Sequence, residues 1–185
     1  MSWRRFWLFL LYLMLTGIFL TAVSGIIIYI KVAPQLPSID DLRDVQLQQP
    51  LRVYSRDRLL LAEFGEKRRT PVSIDEVPPL MVKAFLAAED DSFFSHSGVD
   101  FPGLLSAAIE LARTGKKRRG GSTITMQVAR NYYLSSEKTY LRKLTEILLA
   151  FRIERSLSKN EILELYFNKI YLGQRAYGVE AAARM

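Results

Sequence analysis

The sequence predicts a mainly α-helical domain carried behind an N-terminal transmembrane helix, with one short β-hairpin at the start of the domain. Three observations predict it. Residues 6–30 contain no Asp, Glu, Lys, Arg or His, and as a helix this stretch is about 37 Å long, enough for a hydrocarbon core of about 30 Å. Residues 51–55 alternate like a strand, Arg56-Asp57-Arg58 can turn, and residues 59–64 can return as a second strand. From Pro78 onward apolar residues recur at spacings of three and four, the helical period.

The N-terminal segment is read first. Arg4 and Arg5 precede the apolar run, whereas Lys31 behind it is soon balanced by Asp40, Asp41 and Asp44. The positive-inside rule therefore places residues 1–5 in the cytoplasm and the rest outside. A cleaved signal peptide is the competing reading, with Ala22-Val-Ser-Gly25 as a small-residue cleavage site. The run exceeds the usual signal core of about 7–15 residues, which favours a retained anchor over residues 6–30. Either reading exports the remainder. Pro34, Pro37 and Pro50 break helices and make residues 31–50 a stem. Residues 51–185 are then enough for one compact core.

Within that core, residues 80–88 read as an apolar helix ending in Glu89-Asp-Asp91. Asp100 and Pro102 mark the start of a helix that runs to about Arg113. Residues 115–121 form a basic loop bounded by glycines, and Ser122 is placed to cap the helix that continues through Tyr133. Leu141, Leu144, Leu148 and Phe151 define the next helix. Ser158-Lys-Asn-Glu161 is a capping box before Ile162, Leu165 and Tyr166, and Gly173 is expected to end that helix. There is no internal repeat.

Composition excludes several chemistries. The chain has no cysteine and one histidine, so thiol nucleophiles, cysteine-ligated metals and multi-histidine metal sites are ruled out. The net charge of +7 asks for an anionic partner: a phosphate-bearing substrate, anionic lipid or nucleic acid. The anchor and export argue against nucleic acid.

Individually, the chemistry-bearing residues are ambiguous. Glu89 closes an apolar helix, so its carboxylate is either a partly desolvated base or an ordinary helix-end acid. His96 is either a proton carrier or a loop histidine with structural hydrogen bonds. Gly120-Gly-Ser-Thr-Ile-Thr125 opens a helix, where free N–H groups could meet an anion; it lacks P-loop spacing. Arg142 and Glu146 share a helix face at i, i+4 beside Lys143, as a surface ion pair or as an acid held by cations near a phosphate. Ser135-Ser-Glu-Lys138 matches Ser-x-x-Lys, but no Lys-Thr-Gly accompanies it, and it is taken as chance.

Their order is informative. Glu89-Asp-x-x-Phe93-x-x-His96-x-Gly98 is followed by Gly121-x-Thr-Ile-Thr with Gln127 and Asn131. Then come Arg142-Lys143-x-x-Glu146, Lys159-x-x-Ile-Leu-Glu164-x-Tyr166-x-Asn168 and Arg175-x-x-Gly178-x-x-x-Ala182. This series resembles the peptidoglycan glycosyltransferases of class A penicillin-binding proteins, over roughly residue 51 to the end. Pro34-Gln-Leu-Pro37 and Phe64-Gly-Glu-Lys-Arg-Arg69 carry the resemblance to one Gram-negative branch of that family.

The resemblance implies a lysozyme-like fold and an inner-membrane enzyme with one pass and a periplasmic catalytic domain. It implies polymerisation of lipid II into β-1,4 glycan, with inversion and release of undecaprenyl diphosphate. On that analogy Glu89 is the catalytic base. Arg142, Lys143 and the second acid, Glu146, lie where diphosphate departs. Thr123, Gln127, Arg130 and Asn131 line the cleft, and Asp90, Phe93 and His96 support or bind. No cofactor is required, and magnesium or manganese is compatible with the diphosphate. The partners are lipid II, the growing strand, the membrane and other cell-wall synthesis proteins. The departures are Met126 in place of a usual glutamine, Asp57-Arg58 in place of Asp-Gly, and an end at Met185 inside an alanine-rich segment. The last is expected of an N-terminal piece of a longer protein, and a membrane-tethered fragment that binds without turnover is the alternative.

Overall fold

The structure, a computed structural model, describes residues 3–39, 42, 51–64, 68–116, 120–134 and 139–185. Residues 117–119 of the basic loop, Ser135-Ser-Glu-Lys138 and most of the distal stem lie outside the described residues. The chain divides into two compact units, Met1–Pro37 and Ser38–Met185.

The first unit is helix α1, Trp3–Val32, followed by a 3-10 turn over Ala33–Gln35. Its most apolar window has a mean hydropathy of 2.2, and the helix is long and apolar enough to cross a membrane. Thr16 and Thr21 donate their hydroxyls to the carbonyls of Tyr12 and Gly17, both at 2.8 Å. No side-chain donor of either threonine is thus left for water to satisfy.

The second unit is mainly helical, as the sequence predicts. Strands β1 (Leu51–Tyr54) and β2 (Leu60–Phe64) pair antiparallel with Leu51 opposite Phe64, and a bulge follows Val53. The turn needs one left-handed residue, and Arg58 takes that conformation at φ 62° where a glycine would be unstrained. Helices follow in chain order: α2 (Pro79–Glu89), α3 (Phe101–Thr114), α4 (Ile124–Tyr133), α5 (Tyr140–Ser156), α6 (Lys159–Lys169) and α7 (Val179–Ala183). A two-residue parallel pair, β3 (Arg68–Arg69) with β4 (Ala176–Tyr177), has no counterpart in the sequence reading.

The caps show why the helices sit where they do. Asp100 accepts from the Gly103 N–H at 2.9 Å to start α3, and Gly115 ends it at φ 65°. The Ser158 and Glu161 capping box starts α6. Two expected boundaries move. Thr123, not Ser122, caps α4 by accepting from Met126 N–H. Helix α6 ends at Lys169 with Ile170 as its cap, and Gly173 lies beyond it in a turn at φ 99°.

Helix α4 is the centre of the core and packs on both α5 and α6. Its Ile124, Met126, Val128 and Ala129 are buried with Leu149 and Ile153 of α5 and with Ile162, Tyr166 and Phe167 of α6. Met126 is fully enclosed beside Val99 and Ala150, so an apolar side chain suits the position where the family pattern has glutamine. At the far end of α6, Asn168 accepts from Val72 N–H and donates to Val72 C=O, both at 2.8 Å. Glu164 accepts from Ile74 N–H at 2.9 Å. These bonds tie the segment leading into α2, and through it the position of Glu89, to the core.

Candidate active site

Glu89 is the last residue of α2 and is exposed, so the desolvation considered for it from sequence is not found. The helix ends here because Asp90 leaves helical geometry, at φ −162° and ψ 77°. Gln127 donates to the Glu89 carboxylate at 2.9 Å from α4. Gln127, Arg130 and Asn131 are one turn apart on the half-buried face of α4, so the expected cleft residues share one face.

Asp90, in contrast, is buried. One of its oxygens accepts from Ile124 N–H at 2.9 Å, and both lie about 3 Å from His96 Nε2. The anion at the N-terminus of α4 is therefore the protein's own carboxylate. The sequence reading had offered that helix end to a ligand. Gly98 N–H donates to His96 Nδ1 at 3.1 Å, so the ring proton sits on Nε2 and is donated to Asp90. Phe93 has no exposed surface and its ring lies 4.3 Å from Lys159 Nζ. Asp90, Phe93 and His96 thus form a packed support behind Glu89, with the histidine in the structural form weighed above.

Residues that the sequence reading left without a role complete this support. Lys159 donates to His96 C=O and to Glu154, both at 2.7 Å. Thr125 donates to the same Glu154 oxygen at 2.5 Å. Lys159 stood inside a motif, but nothing in the sequence marked Glu154. Thr123, besides its cap, donates to Gly98 C=O at 2.6 Å. Gly98 has φ 99°, and a Cβ there would lie 3.0 Å from the backbone of Ala150. Gly98→Ala should therefore lower stability by about 2–4 kcal/mol, read as a fall in melting temperature.

A second cluster stands on α5. Glu146 is 1% exposed. Arg142 Nη1 donates to one of its oxygens at 2.5 Å and Lys143 Nζ to the other at 3.0 Å. This is a buried carboxylate held by two half-buried cations, with one surplus positive charge, not a surface ion pair. Lys143 also donates to Ser122 at 2.8 Å, and the Arg142 Nε–H is buried without a partner among the described residues. Both carboxylate oxygens are engaged by cations, and no group of three His, Cys, Asp or Glu among the described residues could hold a metal.

A cleft of about 120 Å³ is lined by Glu89, Asp90, Asp100, Leu104 and residues 120–123. Ser122 is the link: it lines the cleft and holds Lys143. An exposed carboxylate in the cleft can take a proton, and a cation pair joined to the cleft wall through Ser122 can stabilise an anionic leaving group.

The comparisons show the family to which this helical domain belongs. Residues 57–185 match the family model described as Transglycosylase, and the chain belongs to that family. It is 54% identical over 170 residues to penicillin-binding protein 1A of Pseudomonas aeruginosa, covering 89% of this chain and 21% of that protein. The penicillin-binding protein 1A of Escherichia coli is also 54% identical, over 89% of this chain and 19% of its own length. That of Vibrio cholerae is 47% identical over 98% of this chain and 22% of its own. The chain thus spans about a fifth of the curated relatives it matches.

Proposed function

We propose that this chain carries the glycan-polymerising site of a peptidoglycan glycosyltransferase, acting on lipid II and the growing strand. The observation that carries the reading is a cleft lined by exposed Glu89 and by Ser122, whose hydroxyl accepts from Lys143 of the Arg142–Lys143–Glu146 cluster. Glu89 takes the proton of the acceptor's 4-hydroxyl. The oxygen attacks the donor's anomeric carbon from the face opposite the diphosphate, which leaves with its bonding electrons and gives an inverted β-1,4 linkage. A diphosphate needs no proton to leave but needs positive charge nearby, which Arg142 and Lys143 supply. Glu146 is then the counter-ion that holds both cations in place, rather than a second proton carrier.

Gln127, Arg130 and Asn131 border the acceptor side of Glu89, while Thr123, Asp90, Phe93 and His96 hold the frame. No step is routed through a metal; a magnesium or manganese ion would travel with the diphosphate. Helix α1 anchors the domain in the inner membrane, with residues 1–5 cytoplasmic and the domain in the periplasm beside a substrate that stays in the bilayer. Other cell-wall synthesis proteins would meet the whole protein there.

The test is incubation of the detergent-purified chain with labelled lipid II. A ladder of muramidase-sensitive glycans is expected. Retention of lipid II without any product would instead assign this chain a binding role.

A further inference from the structure

We propose that Tyr166 is a positioning residue for Glu89: its hydroxyl donates to the Glu89 carboxylate and holds it against α4 beside Gln127. The role in turnover rests on the glycosyltransferase reading above, whereas the hydrogen bond itself does not. Tyr166 is fully buried, and its hydroxyl has no partner among the described residues. A buried phenol without an acceptor is costly and therefore uncommon. Its ring packs edge-on against Phe85, with centroids 6.2 Å apart. Phe85 lies one helical turn before Glu89 on α2, so both side chains leave the same face. Helix α6 is fastened to α4 next to this point, where Tyr132 donates to Leu165 C=O at 3.2 Å.

The charges acting on the phenol agree. Burial pushes its pKa up, the negative charge of Glu89 pushes it further, and Arg130 opposes them. The phenol is therefore a neutral donor at physiological pH, and Glu89 is the carboxylate whose charge acts on it. Gln127 already donates one hydrogen bond to Glu89 from α4, and a carboxylate has room for more. A second donor, from α6, would leave it one orientation instead of several.

Tyr166→Phe removes only this hydroxyl and keeps the ring contacts with Phe85 and Phe167. Two readouts test the proposal on the full chain in detergent. The first is the Cζ resonance of Tyr166 in a sample labelled with 13C-tyrosine, assigned by its loss in Tyr166→Phe. It should shift when Glu89 is changed to Gln, because the phenol then loses its charged acceptor; an unmoved resonance overturns the proposal whether or not the chain polymerises lipid II. The second is polymerisation: kcat should fall about tenfold in Tyr166→Phe with KM unchanged. An unchanged kcat also overturns it, whereas a wild-type chain with no activity overturns the glycosyltransferase reading and leaves the resonance to decide the bond.

Discussion

Glu89→Gln should lower the rate of glycan formation by about 100- to 10,000-fold and leave the melting temperature where it was. The two halves of this expectation have separate origins. The carboxylate is exposed and makes one described hydrogen bond, to Gln127, and a glutamine can still accept there. No buried charge is lost, so stability has little to respond to. Proton removal from the acceptor hydroxyl, however, needs a base, and an amide is not one. The neighbouring Asp90 cannot stand in, because its oxygens are spent on Ile124 N–H and His96 inside the protein. Steady-state rates and a thermal melt of the same preparation check both halves; a drop in melting temperature would mean that Glu89 holds the fold.

Glu146→Gln should fail in the opposite manner, losing stability and activity together. Glu146 is buried and bonded to two cations, of which Arg142 is largely enclosed and Lys143 partly exposed. Removing the anion leaves two like charges side by side. Breaking a buried pair costs about 3–5 kcal/mol, and the exposed part of Lys143 places this case near about 3 kcal/mol. Denaturant titration reads that loss. Turnover should fall as well, because Arg142 and Lys143 no longer hold the positions from which they meet a diphosphate. A variant with wild-type stability would contradict the buried triad.

Local physics was legible in the sequence and long-range physics was not. The 3.6-residue period located the helices, and Asp100 with Pro102 and Ser158 with Glu161 located two of their starts, because caps act within four residues. Ser122 and Thr123 were equally suited as caps by type. The choice fell to Thr123 because Lys143, 21 residues away, holds Ser122. Likewise, Asp90 reaches the N-terminus of α4 across 34 residues of chain, and Asn168 grips Val72 across 96. No local pattern announces such bonds. The pair β3–β4 is two residues long and leaves no alternation to read. The candidate site was legible as an ordered series of motifs, but not the division of labour within it. Burial separates exposed Glu89 from enclosed Asp90, and only the fold shows that both oxygens of Glu146 are engaged by cations.

The most direct measurement compares the chain with Glu89→Gln for retention of labelled lipid II and for its conversion to glycan, in the same detergent and on the same day. The account predicts equal retention by both, with muramidase-sensitive glycan from the wild type alone. Glycan formed by Glu89→Gln at the wild-type rate would contradict it, because the cleft would then be working without the base on which the account rests.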